Sequence, residues 1–386
     1  LNRKLEYLKK PIFDYQLVRL FMRSLLFFFL LIGYNTFIKA QLDLEHWFPP
    51  LYRSSNYLSN YAEINVSTPH KTPFRIYIYS NNTLQESLII SKDNPAKYII
   101  KNSSYITTAK NSFKTNKNGI HIVGENSFFA DLRLKKEIVL SFGKTSLGTE
   151  FRSVNTTNNN YEGVDEHSLM TSIMATKDNT TINFSGFDAK ITFTDGRQYN
   201  SPITINLNKD ESFIIAAYKK DNFNIFDNEY FNTINGSKIS SDKPIVVFGG
   251  AFYGQYAYEN GSNSLLLDHI PPINKLGKNF FFQKGFSAIT KHTEKAFIVA
   301  TKNNTKVYFN NDTTARVILN DGDYYLMNIK DFINNQVYIK SSEPIYCYQL
   351  SSGTNRAVRN ADFSYDAESM AYIPPLDISL PGEIDM

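Results

Sequence analysis

The sequence predicts an all-β protein: three tandem repeats of a β-sandwich-like unit behind an N-terminal signal peptide. Three observations carry this expectation. The 386 residues include 25 Tyr and 30 Phe, and aromatic residues fit pleated, half-buried surfaces. Short phrases recur in a fixed order along the chain. Beyond the N-terminal segment, no long stretch holds apolar residues at helical spacing.

The N-terminal segment reads MRSLLFFFLLIGYNTFIKAQ over 22–41. Arg19 and Arg23 give a positive flank, Leu25 to Ile32 an apolar run, and Ile38-Lys39-Ala40 a cleavage site before Gln41. That is the layout of a signal peptide. The run falls short of the roughly 20 apolar residues that a membrane span needs. Met22 is its natural start, so residues 1–21 are expected to be an upstream extension and 22–40 the signal. Export combined with a single cysteine, Cys347, points to a bacterial secreted or surface protein. Exported eukaryotic domains of this size more often carry disulfides.

The repeats follow, expected as repeat 1 (42–150), repeat 2 (151–280) and a truncated repeat 3 (281–386). Each opens with two apolar runs around a polar turn: INVSTPHKTPFRIYIY (64–79), IMATKDNTTINF (173–184) and IVATKNNTKVYF (298–309). This pattern predicts a hairpin. A second turn with flanking strands recurs in LIISKDNPAKYII, INLNKDESFII and VILNDGDYYLM. The third phrase is KISSDKPIVVF (238–248) and YIKSSEPIYCY (338–348), with HIVGENSFFA (121–130) as its first copy and Ser127 in the place of Pro244 and Pro344. It predicts a strand, a Ser-acid turn, and a second strand entered through the proline. Pro-Pro corners in EHWFPP, DHIPP and AYIPP read as inter-unit connections, with Leu-Gly pairs nearby (Leu147-Gly148, Leu276-Gly277). In the second copy the pattern predicts strands at 169–175, 180–184, 189–193, 203–207, 212–218, 237–240 and 245–248.

The ordered phrases EHWFPP, GIHIVGENSFFADLR, GKTSLGTEFR, TSIMATKDNTTINF, SSDKPIVVFGG, LLDHIPPINKLGKNF and FIVATKNNTKVYF resemble one family over roughly 42–386. It is the N-terminal domain family named for the IgGFc-binding protein, in the form found in exported proteins of Bacteroidetes such as flavobacteria. The resemblance implies a large secreted or surface protein, often served by the gliding-associated (type IX) secretion system. It transfers no catalytic motif.

Chemistry is sparse. The near-balanced charge of +4 argues against a nucleic-acid binder, and no membrane contact is expected beyond the signal segment. The six histidines show no zinc spacing, and no nucleophile elbow or phosphate loop is present. His46 and His269 share an acid-His position before Pro-Pro, which reads as structural. Asp312, Asp321 and Asp323 lack the spacing of a calcium loop. No catalytic residue, metal or cofactor is assigned. Phe252, Tyr253, Tyr256 and Tyr258 lie in GGAFYGQYAYENGSNS, a glycine-flexed aromatic loop suited to ligand contact. The sequence therefore predicts a non-enzymatic binding or adhesion protein for an extracellular glycan or protein. The alternatives are a secreted polysaccharide hydrolase using acids such as Asp165 and Glu166, or a structural spacer.

Overall fold

One long strand runs through the middle of each of three units: Ile120–Leu134, Lys238–Gly254 and Gln336–Ser351. The structure is a computed structural model that describes residues 41–52, 62–101, 105–134, 137–155, 168–200, 202–217, 234–254, 264–284, 294–327, 331–351 and 369–377. The signal segment lies outside these residues. Residues Lys39–Met386 form one compact body.

Unit 1 contains β1 (Asp43–Phe48), β2 (Leu51–Tyr52), β3 (Ala62–Ser67), β4 (Phe74–Ser80), β5 (Thr83–Ile90), β6 (Ala96–Ile99), β7 (Ile106–Thr107), β8 (Ile120–Leu134) and β9 (Glu137–Leu140). Unit 2 contains β10 (Gly148–Arg152), β11 (Leu169–Ala175), β12 (Thr180–Ser185), β13 (Ile203–Leu207), β14 (Ser212–Ala217), β15 (Lys238–Gly254) and β16 (Ser264–His269). Unit 3 contains β17 (Gly277–Gln283), β18 (Glu294–Ala300), β19 (Thr305–Phe309), β20 (Val317–Leu319), β21 (Tyr324–Leu326), β22 (Gln336–Ser351) and β23 (Ser369–Tyr372).

The three sheets have one topology. In unit 2 the first half of β15 lies between β12 and β10, with β13 beyond β12. Its second half lies between β11 and β16, with β14 beyond β11. Each unit is thus a curled, barrel-like sheet. A first layer (β13-β12-β15-β10) and a second layer (β14-β11-β15-β16) share one bent strand. β8 and β22 do the same in units 1 and 3.

The recurring third phrase is this bend. Residues 238–241 pair with β12 and residues 245–251 with β11, so Pro244 sits where the strand changes partners. A missing N–H costs least there. The expected break into two strands is corrected: β15 and β22 are continuous through Pro244 and Pro344. The bend is fixed in the same way in both, Ser241 Oγ donating to Lys243 O (2.7 Å) and Ser341 Oγ to Glu343 O (2.6 Å). Thr176 and Thr301 donate to the carbonyls of Pro244 and Pro344, and Thr68 donates to that of Ser127. Ser127 therefore holds the proline's place, as the sequence indicates.

The turn between the first two runs is no hairpin. β11 and β12 pair with different neighbours in different layers. The turn carries the chain across the core, with Asn179 and Asn304 in left-handed conformation. Asn tolerates that region better than most residues. Residues 189–193, expected as a strand, form a turn with one isolated bridge at Phe193. In unit 2 two strands go unpredicted, β10 and β16.

The Pro-Pro and Leu-Gly phrases meet in space. A Cβ on Gly148 would overlap the ring of Pro272, and one on Gly277 the ring of Pro375. The corner that ends a unit thus rests on the bare backbone that begins it. EHWFPP differs from the other two: it is the end of β1, a first strand, and its exit, whereas DHIPP and AYIPP are the ends of the last strands, β16 and β23, and their exits. His46 and His269 therefore do not occupy equivalent positions.

The units are fused. All residues of β11 and β14 are buried, because alternate side chains face two cores. Met170, Met174, Ile214, Ala216, Val246 and Phe248 pack into the core of unit 1. Ile173, Ala175, Ile215, Ala217 and Val247 pack into that of unit 2. Unit 3 repeats the device, with Phe297, Val299, Tyr346 and Tyr348 in the core of unit 2 and Ile298, Ala300 and Cys347 in its own. In unit 1 the matching face is mixed: charged and amide side chains alternate with exposed Ile99, Ile138 and Leu140. The register aligns Glu63, Asn65 and Asp131 with Met170, Ser172 and Phe248. Their charges are satisfied locally: Lys97 Nζ is 3.3 Å from Glu63, and Asn65 and Arg133 both donate to Asp131. Charged side chains on an end face are a feature of the unit that caps a stack of repeats.

Candidate functional site

Two regions of the fold can meet a ligand. The first is one end of the second layers. β11 begins where β14 and the second half of β15 end, Leu169 facing both Ala217 and Ala251. The connections preceding β11, following β14 and following β15 therefore all leave from that end. Unit 3 has the same arrangement. The link corresponding to 255–263 is short in unit 1, between Leu134 and Glu137.

Of the residues expected to bind ligand, Phe252 and Tyr253 lie near this end. Phe252 lies on β15 and is half-buried against the core of unit 1. Tyr253 is on β15, while Tyr256 and Tyr258 lie outside the described residues. So do Asp165 and Glu166. The carboxylates weighed for calcium are engaged separately. Asp312 pairs with Arg316 at 3.0 Å, Asp321 with Arg152 across the seam between units 2 and 3, and Asp323 accepts from the Asn320 N–H. Among the described residues, no three His, Cys, Asp or Glu side chains cluster as a metal site.

The second region is the seam between units 1 and 2, where edge strand β14 is covered from both sides. Unit 1 supplies Phe113 N, donating to Ile214 O (3.1 Å), and Asn116, paired with Ser212. Unit 2 supplies Thr194 N, donating to Ala216 O (2.9 Å). Where the two covering segments meet, a cleft of about 420 Å³ opens. Its walls are Lys110, Ser112, Phe113 and Lys114 from unit 1 and Thr194, Asp195 and Arg197 from unit 2. The sequence reading missed it, because no local motif joins these two segments.

The histidines mark the same seam. His121, buried and stacked on Trp47, places Nδ1 3.1 Å from Asp210 of unit 2 and Nε2 3.7 Å from Glu45. Burial opposes its charge, but the two carboxylates outweigh burial and raise its pKa. His46 accepts at Nδ1 from Ser141 Oγ (2.9 Å) and donates from Nε2 to Phe128 O (2.8 Å). Burial holds its pKa down at about 4. His269, packed between Phe142 and Phe248, has neither ring nitrogen hydrogen-bonded, and burial lowers its pKa to about 3. These are structural roles. His70 lies apart from the seam, with its Nε2 3.0 Å from Ser127 Oγ at the bend of β8.

Three fused, similarly built sheets define an all-β repeat protein. Residues 139–381 match the family model described as IgGFc binding protein. That is more than half of the chain, and the chain belongs to this family. The match opens in β9 and takes in all of units 2 and 3, so it is narrower than the resemblance over 42–386. No curated protein and no solved structure matches the chain.

Proposed function

We propose that this chain is an exported, non-enzymatic binding or adhesion protein of the kind that flavobacteria place at the cell surface or secrete. It recognises an extracellular glycan or protein through the connections at one end of its second layers. One observation carries this reading: in those layers β11 and β14 of unit 2 and β18 of unit 3 are buried on nearly every residue, which leaves the ends of the layers to meet a ligand. Loops anchored on such a scaffold are the usual place for recognition. The signal-like segment 22–40 and the single cysteine support export, and family membership supports binding.

The test is an array of glycans, mucins and serum proteins including IgG. It is probed with the intact chain and with a variant whose 255–263 connection is cut to a two-residue turn. Binding that is lost in the variant while its thermal melt is unchanged supports the proposal. An unreactive array, or equal binding by both proteins, overturns it. Release of reducing ends from a polysaccharide, abolished by Asp165→Asn or Glu166→Gln, would replace it with the hydrolase reading.

A further inference from the structure

We propose that the cleft between units 1 and 2 is a second binding site, and that it takes a sugar ring bearing a carboxylate or sulfate. The site is separate from the connections at the layer ends.

The charge is the first argument. Lys110, Lys114 and Arg197 are all exposed at the rim, against a single carboxylate, Asp195. That carboxylate accepts from Tyr199 OH (2.6 Å) and from the Arg197 backbone N–H (3.0 Å) and lies 3.9 Å from Arg197 Nε, so it offsets Arg197 and leaves the two lysines as the excess. The rim thus presents excess positive charge to an incoming anion. A cleft of one sign concentrates an oppositely charged ligand.

The floor is the second argument. Ser112 and Thr194 are buried, with their hydroxyls 3.2 Å apart. Phe113 lies beside them in left-handed backbone, φ 55°, a conformation rare for a bulky residue. Its ring is held by three others, stacked on Tyr199 (5.9 Å) and edge-to-face with Phe193 (5.3 Å) and Phe213 (6.0 Å). A rigid aromatic surface bordered by hydroxyls suits a ring that offers C–H groups on its face and hydroxyls on its edge. The volume is that of a small-ligand site.

An acidic peptide fits less well. Peptides commonly add to an unpaired strand edge, and the edge of β14 is already taken by 113–116 and 193–194. The saccharide also explains why polar and aromatic groups from two units converge on one rim.

The test uses the full chain and calorimetric titration at low and at physiological ionic strength. The probes are a hyaluronan tetrasaccharide (carboxylate), a chondroitin sulfate tetrasaccharide (carboxylate and sulfate), neutral chitotetraose, inorganic phosphate and hexaglutamate. Saturable binding of either acidic tetrasaccharide, with none of chitotetraose, is expected. Lys110→Gln with Lys114→Gln should weaken it about tenfold, and Arg197→Gln alone should weaken it less. These side chains are exposed, so folding is preserved. Cutting the 255–263 connection should leave this binding unchanged, which separates its fate from that of the end-loop proposal. Equal affinity for chitotetraose, insensitivity to the lysine pair, or equal binding of hexaglutamate or phosphate would overturn the assignment.

Discussion

The hydroxyl of Tyr346 in unit 3 accepts a hydrogen bond from the backbone N–H of Arg152 in unit 2, at 3.1 Å. The same hydroxyl donates to Pro271 O at 2.9 Å. Burial pushes its pKa up, so it stays protonated and keeps both roles. Tyr346→Phe retains the ring but leaves two buried backbone groups unpaired. A loss of about 1–3 kcal/mol is expected, read from urea denaturation. An unchanged midpoint would mean that the seam relaxes around the gap.

Gly148 and Gly277 should be intolerant of a side chain. Each lies under a proline ring, Pro272 or Pro375, and neither ring can swing aside as a long side chain does. Gly148→Ala and Gly277→Ala should each cost about 1–3 kcal/mol through overpacking. Thermal melts of the two variants would check this. Equal stability with the parent would show that the corner is looser than its packing suggests.

His269 should be dispensable and its loss should favour acid tolerance. Its folded pKa of about 3 lies below the ordinary histidine value. The native protein therefore forgoes a proton that the unfolded chain takes up, and stability drains away as pH falls below about 6.5. Leu140 of unit 1 holds the aligned position. His269→Leu should match or exceed the parent near pH 7, since two unpaired buried nitrogens disappear. Its advantage should widen towards about pH 5. Melting curves of both proteins across that range decide it. Asp268, raised to about 7 by burial, gives a trend of opposite sign, but it is common to both proteins and drops out of the difference.

The outer face of unit 1, where exposed Ile99, Ile138 and Leu140 lie among charged side chains, should be convertible. Glu63→Met, Asn65→Ser and Asp131→Phe install the residues that unit 2 uses at aligned positions. The face would then be a contiguous apolar patch, and such patches drive association. Concentration-dependent oligomers are expected in sedimentation velocity, against a monodisperse parent. An unchanged sedimentation profile would show that shape, beyond polarity, keeps this face single.

Much of the fold was legible because the strands repeat with their turn chemistry. Ser127 could be matched to Pro244 and Pro344 from spacing alone. The errors share one cause. Ser-Ser-Asp-Lys-Pro is turn chemistry locally, and only the change of partner at 241–245 distinguishes a bend from a break. Likewise Lys177 to Thr180 signals a turn correctly but does not say that its two strands pair elsewhere. EHWFPP and DHIPP share letters while lying on different strands. Sequence could not reveal the cleft at all. Its lining comes from a connection in one unit and a turn in the next, and Phe113 carries no mark of its backbone conformation.

The alternating burial of β11 and β18 has a mechanical consequence. Each of these strands belongs to two cores at once, so no unit can be peeled away with its own interior intact. Under tension between the termini, a string of independent domains would give way link by link. This body should instead hold until one large rupture, a useful property for a chain that carries load.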